Sequence, residues 1–337
     1  MSLKDIFSLL KETFDQFNED KAARLGASLA YYTIFSVAPL IVIAIAIAGA
    51  VFGRQAVQGQ VIGTIQAVVG QQGGQAIETM VESASQPRAG GILITLLGIA
   101  TLLLGASGVF GALQDSLNTI WGVQTRPGGG FKGIIKERFF SFTLVVGTGF
   151  LLLVSLVVTA ALAAVAKWFG DVMPGSAGLW EGVNFVFSLL VVTVLFALIF
   201  KYVPDADITW RDIFIGAFAT ALLFTIGKFA IGLYLGRSSV TSAYGAAGSL
   251  VLVLLWIYYS AQILFFGAEL TQVVANRYGT PIVPKPSAVP LTEAARAGQG
   301  IPRAEQVTEA ARTGRSVEAV ARAREADRNS QEPATAK

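Results

Sequence analysis

Arg24, Ser28, Tyr32 and Ser36 recur at every fourth position, with Pro39 following. In a helix this spacing puts the four polar side chains along one face. They sit in or beside a stretch without any charged residue, Leu25 to Gly53. A second stripe, Tyr258, Gln262, Glu269 and Gln272, falls at offsets of four, eleven and fourteen and shares one helix face too. Polar groups inside apolar helices are costly, so such faces turn toward a bundle interior or a wet cavity, where they can bind or pass a polar solute. Pro39 cannot give an amide hydrogen bond to the carbonyl of Phe35, and this predicts a kink in the first helix.

Three further polar groups stand out. Gln114, Asp115, Asn118 and Trp121 close the second apolar run, either as an ordinary polar helix end or as part of a site. Lys228 interrupts the fifth run in its outer third, where its ammonium can extend to the headgroups or hold an anionic group. Glu269 lies near the end of the last run, where the helix dipole disfavours a carboxylate. It is either hydrated at the interface or paired with a cation. Arg24, at the same depth, is the candidate partner for Asp115 or Glu269. Together Arg24, Asp115, Asn118 and Glu269 would frame a vestibule above the Pro39 kink.

The elements that must carry these groups are membrane helices. Of 337 residues 53% are hydrophobic and 14% charged, which excludes an ordinary soluble domain. Uncharged runs longer than about 18 residues read as spanning helices, since a core of about 30 Å takes about 20 residues. Five runs qualify: Leu25 to Gly53, Ala89 to Gln114, Phe139 to Ala166, Gly182 to Phe200 and Ser238 to Ala268; Ile213 to Gly236 qualifies except for Lys228. Their continuous apolarity excludes the alternation of barrel strands. The expected fold is an all-α integral membrane protein with six transmembrane helices over residues 23–280. Lys and Arg count ten on the side of the N-terminus and four on the other, which places both termini in the cytoplasm.

Outside the spans, Leu3, Ile6, Phe7, Leu10, Phe14 and Phe17 give residues 1–22 an amphipathic helix, lying on the cytoplasmic membrane surface or packed against the bundle. Val57, Val61, Ile65 and Val68, then GQQGG, then Ile77, Met80 and Val81 predict two short amphipathic helices on the outer face. Residues 281–337 are rich in Ala, Arg and Glu and repeat LTEAARAG as VTEAARTG. Their composition predicts a disordered cytoplasmic tail, whose removal after Lys285 should leave stability unchanged.

The absence of His and Cys removes the usual zinc, iron and copper ligands and Ser-His or cysteine catalysis. No carboxylate cluster has metal spacing and no Gly-Lys-Ser/Thr phosphate loop occurs. The expectation is a protein that is not an enzyme, with no cofactor and no metal.

Four segments carry a family resemblance: RLGASLAYYTIFSVAPL, GVFGALQDSLNTIWGV, KYVPDADITWRD and YGAAGSLVLVLLWIYYSAQILFFGAELTQV. In this order they resemble the YihY/BrkB family of bacterial inner-membrane proteins. The resemblance implies a six-helix inner-membrane protein and carries a virulence and serum-resistance label; it brings no agreed activity or site residues. The family's older label, ribonuclease BN, does not fit a chain without a metal-ligand cluster. Two functions remain: a transporter or flippase-like protein for a small or lipid-like substrate, and a non-transporting scaffold or regulator of envelope assembly. The expected partners are membrane lipids and such a substrate, not nucleic acid; a homo-oligomer is open.

Overall fold

The computed structural model describes residues 3–85, 108–126, 177–237 and 248–331. The run 139–166 lies outside them, as do the first part of the second run and residues 332–337. Helix α1 (Leu3–Glu19) leads into α2 (Ala22–Phe52), which passes through Pro39 as one helix. Lys21 turns the chain between them in the left-handed conformation, φ 51°. Next come α3 (Arg54–Ser85), α4 (108–120), α5 (Ala177–Tyr202), α6 (Trp210–Arg237) and α7 (Gly248–Tyr278). Among the described residues three stretches are long and apolar enough to cross a membrane: Gly182–Tyr202, Trp210–Ala230 and Leu250–Tyr278.

Helix α1 shows why it is amphipathic. Leu9 packs on Leu270, Val273 and Val274 of α7, whereas Phe7 and Phe14 remain 73% and 56% exposed. One stripe thus fixes the helix to the bundle and another is left for an apolar surface. Helix α3 does not run straight: Gly74 lies against Gln66, with a Cβ built at Gly74 only 3.1 Å from the Gln66 Cα. Eight residues span about 12 Å in a straight helix, so the chain folds back on itself between these positions. Val57, Ile77 and Val81 of this hairpin pack on Ala38 and Ile45 of α2 and Val253 of α7.

Close packing of α6 on α7 rests on small residues. A Cβ at Gly216 would fall on Thr271 Oγ1, and one at Gly267 on Thr220 Oγ1. Each threonine turns its hydroxyl inward to its own helix, Thr220 to the Gly216 carbonyl and Thr271 to the Gly267 carbonyl, both buried. The arrangement is reciprocal: each Gly-x-x-x-Thr seats the other's threonine in the space its glycine leaves. Gly227 likewise meets Tyr259, so numbering rises on α6 as it falls on α7, and the two run antiparallel.

The main core joins Leu117, Ile120 and Trp121 of the α4 end with Phe200 of α5, Ile213 of α6 and Phe265 of α7. Trp121 stands edge-on to Phe200 at 5.7 Å, and its indole donates to the Ala268 carbonyl at 3.1 Å.

The expected disordered tail is corrected for residues 281–331, which are folded. Strand β1 (Val123–Thr125) pairs antiparallel with β4 (Ala288–Pro290), and β2 (Ala206–Asp207) with β3 (Val283–Pro284). Helices α8 (Glu293–Gly298), α9 (Ala304–Thr313) and α10 (Val317–Gln331) follow. Thr292 caps α8 by accepting from the Ala295 amide, and Leu291, Ile301, Ala310 and Val320 are buried. Ion pairs Arg303–Glu293, Arg324–Glu305 and Arg324–Glu309 tie the three helices together. Composition failed here because the segment's few apolar groups do not have to build a core alone; they fold onto a surface that already exists.

Candidate functional site

The ends of α1, α4, α5 and α7, the starts of α2 and α6 and the C-terminal segment gather at one charged face of the bundle. Asp205 organises part of it. Its carboxylate accepts from the side chains of Gln114, Asn118 and Thr125, and Asn118 accepts the Asp205 backbone N–H at 2.7 Å. Asn118 is therefore buried structural glue, while Asp115, one turn earlier, is exposed.

The α1–α2 turn makes the second part. Lys21 donates to the Gly300 carbonyl at 2.8 Å, and Arg24 donates to Gln299 at 3.0 Å and Gly300 at 3.3 Å. Here the expected pairing is corrected: Arg24 pairs with neither Asp115 nor Glu269, because carbonyls left free where α8 ends take its donors. Asp20, beside this turn, forms an ion pair with Arg296 of α8 at 2.5 Å, with side chains only 6% and 8% exposed. Burial pushes the Asp20 carboxyl up from its ordinary range, and the Arg296 guanidinium pulls it back.

Glu269 completes the group. It is 0% exposed, and neither of its oxygens meets a donor among the described residues. Its neighbours are the Asp20 carboxyl, within hydrogen-bonding reach, and the Arg296 charge. The cation that acts on Glu269 is Arg296, from the C-terminal segment, and its guanidinium is bonded to Asp20 and not to Glu269. Gln262, two turns along the same face of α7, buries its amide nitrogen without an acceptor against Gly26. A Cβ at position 26 would fall on that nitrogen, so a larger residue there would displace the Gln262 side chain. Asp20 meets Glu269 and Gly26 meets Gln262, which makes α2 and α7 antiparallel as well.

The polar face of α2 is divided. Ser28 is exposed and Tyr32 is 45% exposed, contrary to the expectation of a face wholly inside the bundle; Ser36 is 2% exposed. Tyr32 and Ser36 border Gly108 of α4, at 3.5 Å and 3.8 Å from a Cβ built there. Lys228 lies apart from all of these. It lines a shallow cleft between α5 and α6 with Phe185, Leu189 and Phe224, its ammonium 5.8 Å from the Phe229 ring centre. Sequence reasoning missed Asp20, Asp205 and Arg296. The need of Glu269 for a cation was the one signal toward Arg296.

A helical bundle with three span-length apolar helices is the architecture of an integral membrane protein. The chain belongs to the BrkB family: the family profile described as "Virulence factor BrkB" matches residues 13–292. It is similar to UPF0761 membrane proteins, being 28% identical over 277 residues to one from Alcanivorax borkumensis, covering 81% of this chain and 61% of the relative. A relative from Verminephrobacter eiseniae is 30% identical, covering 76% and 60%. One from Mannheimia succiniciproducens is 26% identical, covering 81% and 91%. The chain thus spans about three fifths of the first two relatives, and most of the third. No solved structure matches.

Proposed function

We propose that this BrkB-family protein is a six-span, non-enzymatic inner-membrane protein that moves a small or lipid-like substrate, with both termini in the cytoplasm. The observation that carries the reading is the divided face of α2: Ser28 and Tyr32 stay open near the charged end, and the face closes at buried Ser36 beside Gly108. A polar face open at one end of a span and shut deeper in is the form of a vestibule, and an anchor has no use for it. Six spans suit the antiparallel first and last helices, which require an even number of crossings. The cytoplasmic assignment rests on the Lys and Arg bias, and Lys21, Arg24, Lys201 and Arg296 lie at the charged face.

The folded C-terminal segment favours a second reading, a scaffold that docks envelope partners on α9 and α10. Liposomes containing the purified chain separate the two. Transport predicts movement of labelled lipid or small solutes that Ser36→Leu suppresses severalfold while the protein stays folded. Liposomes no more permeable than empty ones to any of these would favour the scaffold.

A further inference from the structure

Asp20 and Glu269 bring two carboxyls together inside the protein, and one guanidinium, that of Arg296, stands against them. Arg296 spends Nη2 on Asp20 Oδ1. Both oxygens of Glu269 are buried without a donor among the described residues, and the group in reach is an acceptor like itself. Two carboxylates cannot bond to each other, whereas an acid and a carboxylate form a short, strong O–H···O bond. We propose that Asp20 and Glu269 form a proton-binding site, one proton held between the two carboxyls while Arg296 balances the remaining negative charge.

The count of charge fits. With the proton in place the trio is neutral; without it one negative charge is buried in excess. The other charged groups acting on the pair are Glu19, which opposes ionisation, and Arg303, which favours it at Asp20 and itself holds Glu293 at 2.9 Å. Lys21 and Arg24 are engaged with the carbonyls of Gly300 and Gln299. Release breaks one O–H bond, leaves Glu269 as a carboxylate and passes the proton to water at the charged face. Two like charges then face each other across the α1–α2 turn and α7, and Arg296 Nε, buried without an acceptor, is the unspent donor that can take Glu269. Proton release therefore sets two carboxylates against the one guanidinium that joins the C-terminal segment to the bundle, and changes how Arg296 divides its donors between them. The site does not depend on transport.

Infrared spectroscopy of the full chain in liposomes, titrated from acid to alkaline pH, tests it. The wild type should show a protonated-carboxyl C=O band that persists at neutral pH, is lost in Glu269→Gln, and changes frequency in Asp20→Asn. Glu269→Gln keeps the shape of the neutral acid; if it fails to fold, Asp20→Asn reads the same band. No neutral-pH band in the wild type, or a band unchanged in either variant, overturns the proposal. A melting temperature raised by sodium ions and not by acid would make the pair a metal-cation site and overturn it as well.

Discussion

Asn118 and Asp205, 87 positions apart, hold each other by two hydrogen bonds: the Asn118 amide donates to Asp205 Oδ2 at 3.2 Å and accepts the Asp205 backbone N–H at 2.7 Å. This clasp joins the end of α4 to the loop between α5 and α6, where the segments GALQDSLNTIWG and KYVPDADITWRD meet. Asn118→Ala strands a partly buried backbone donor and removes a hydrogen bond from the Asp205 carboxylate, so it should cost about 1–3 kcal/mol. Thermal unfolding of the purified protein checks this, and Asn118→Asp, which sets two carboxylates together, should be worse.

Removing Arg296 alone leaves Asp20 buried without its cation. Arg296→Met should cost about 3–5 kcal/mol, as for other broken buried pairs, whereas the double change Asp20→Asn, Arg296→Met should recover part of the loss. A chemical-denaturation series of the three variants decides it; equal losses for single and double would deny the coupling.

The C-terminal segment should matter to stability. Cutting after Lys285 removes β4, α8 and the buried Arg296, uncovers Asp20, and should lower the melting temperature. Cutting after Thr313 removes only α10 and should do less. An unchanged melting curve for the shorter chain would return the segment to the status of a solvated tail.

Gly216→Ala puts a methyl into Thr271, with a Cβ-to-Cβ approach of 2.9 Å, and should cost about 1–3 kcal/mol by overpacking. Thr271→Ala removes the Oγ1 on which that methyl falls but keeps the Cβ, so it should rescue less than Thr271→Gly. Stability of Gly216→Ala alone and combined with each Thr271 change reads the α6–α7 contact directly.

At the charged face the Lys201 ammonium donates to Asp207 at 2.7 Å and holds its carboxyl below the ordinary value of 3.8. A depressed carboxyl stabilises the fold above the unfolded value, and the contribution is lost as pH falls through the lower folded one. Lys201→Met should therefore flatten the acid limb of the stability profile below pH 3.8 and leave its slope near neutrality alone. Asp207 is largely exposed, so the effect is small.

The sequence alone determined which stretches had to be apolar helices, because a bilayer demands some 20 uncharged residues in a row whatever they pack against. It also determined that Glu269 needed company, since a carboxylate at a dipole's negative end is penalised locally. The identity of that company was decided by tertiary structure. Arg296 and Arg312 hold the same place in the two copies of the repeat, yet Arg296 is buried against Asp20 and Arg312 is exposed. Nothing local separates them, because burial comes from the surface on which a helix lands. The same reason kept the fold of the C-terminal segment out of sight: composition measures whether a segment can build its own core, and this one borrows a face made by α1, α4, α5 and α7.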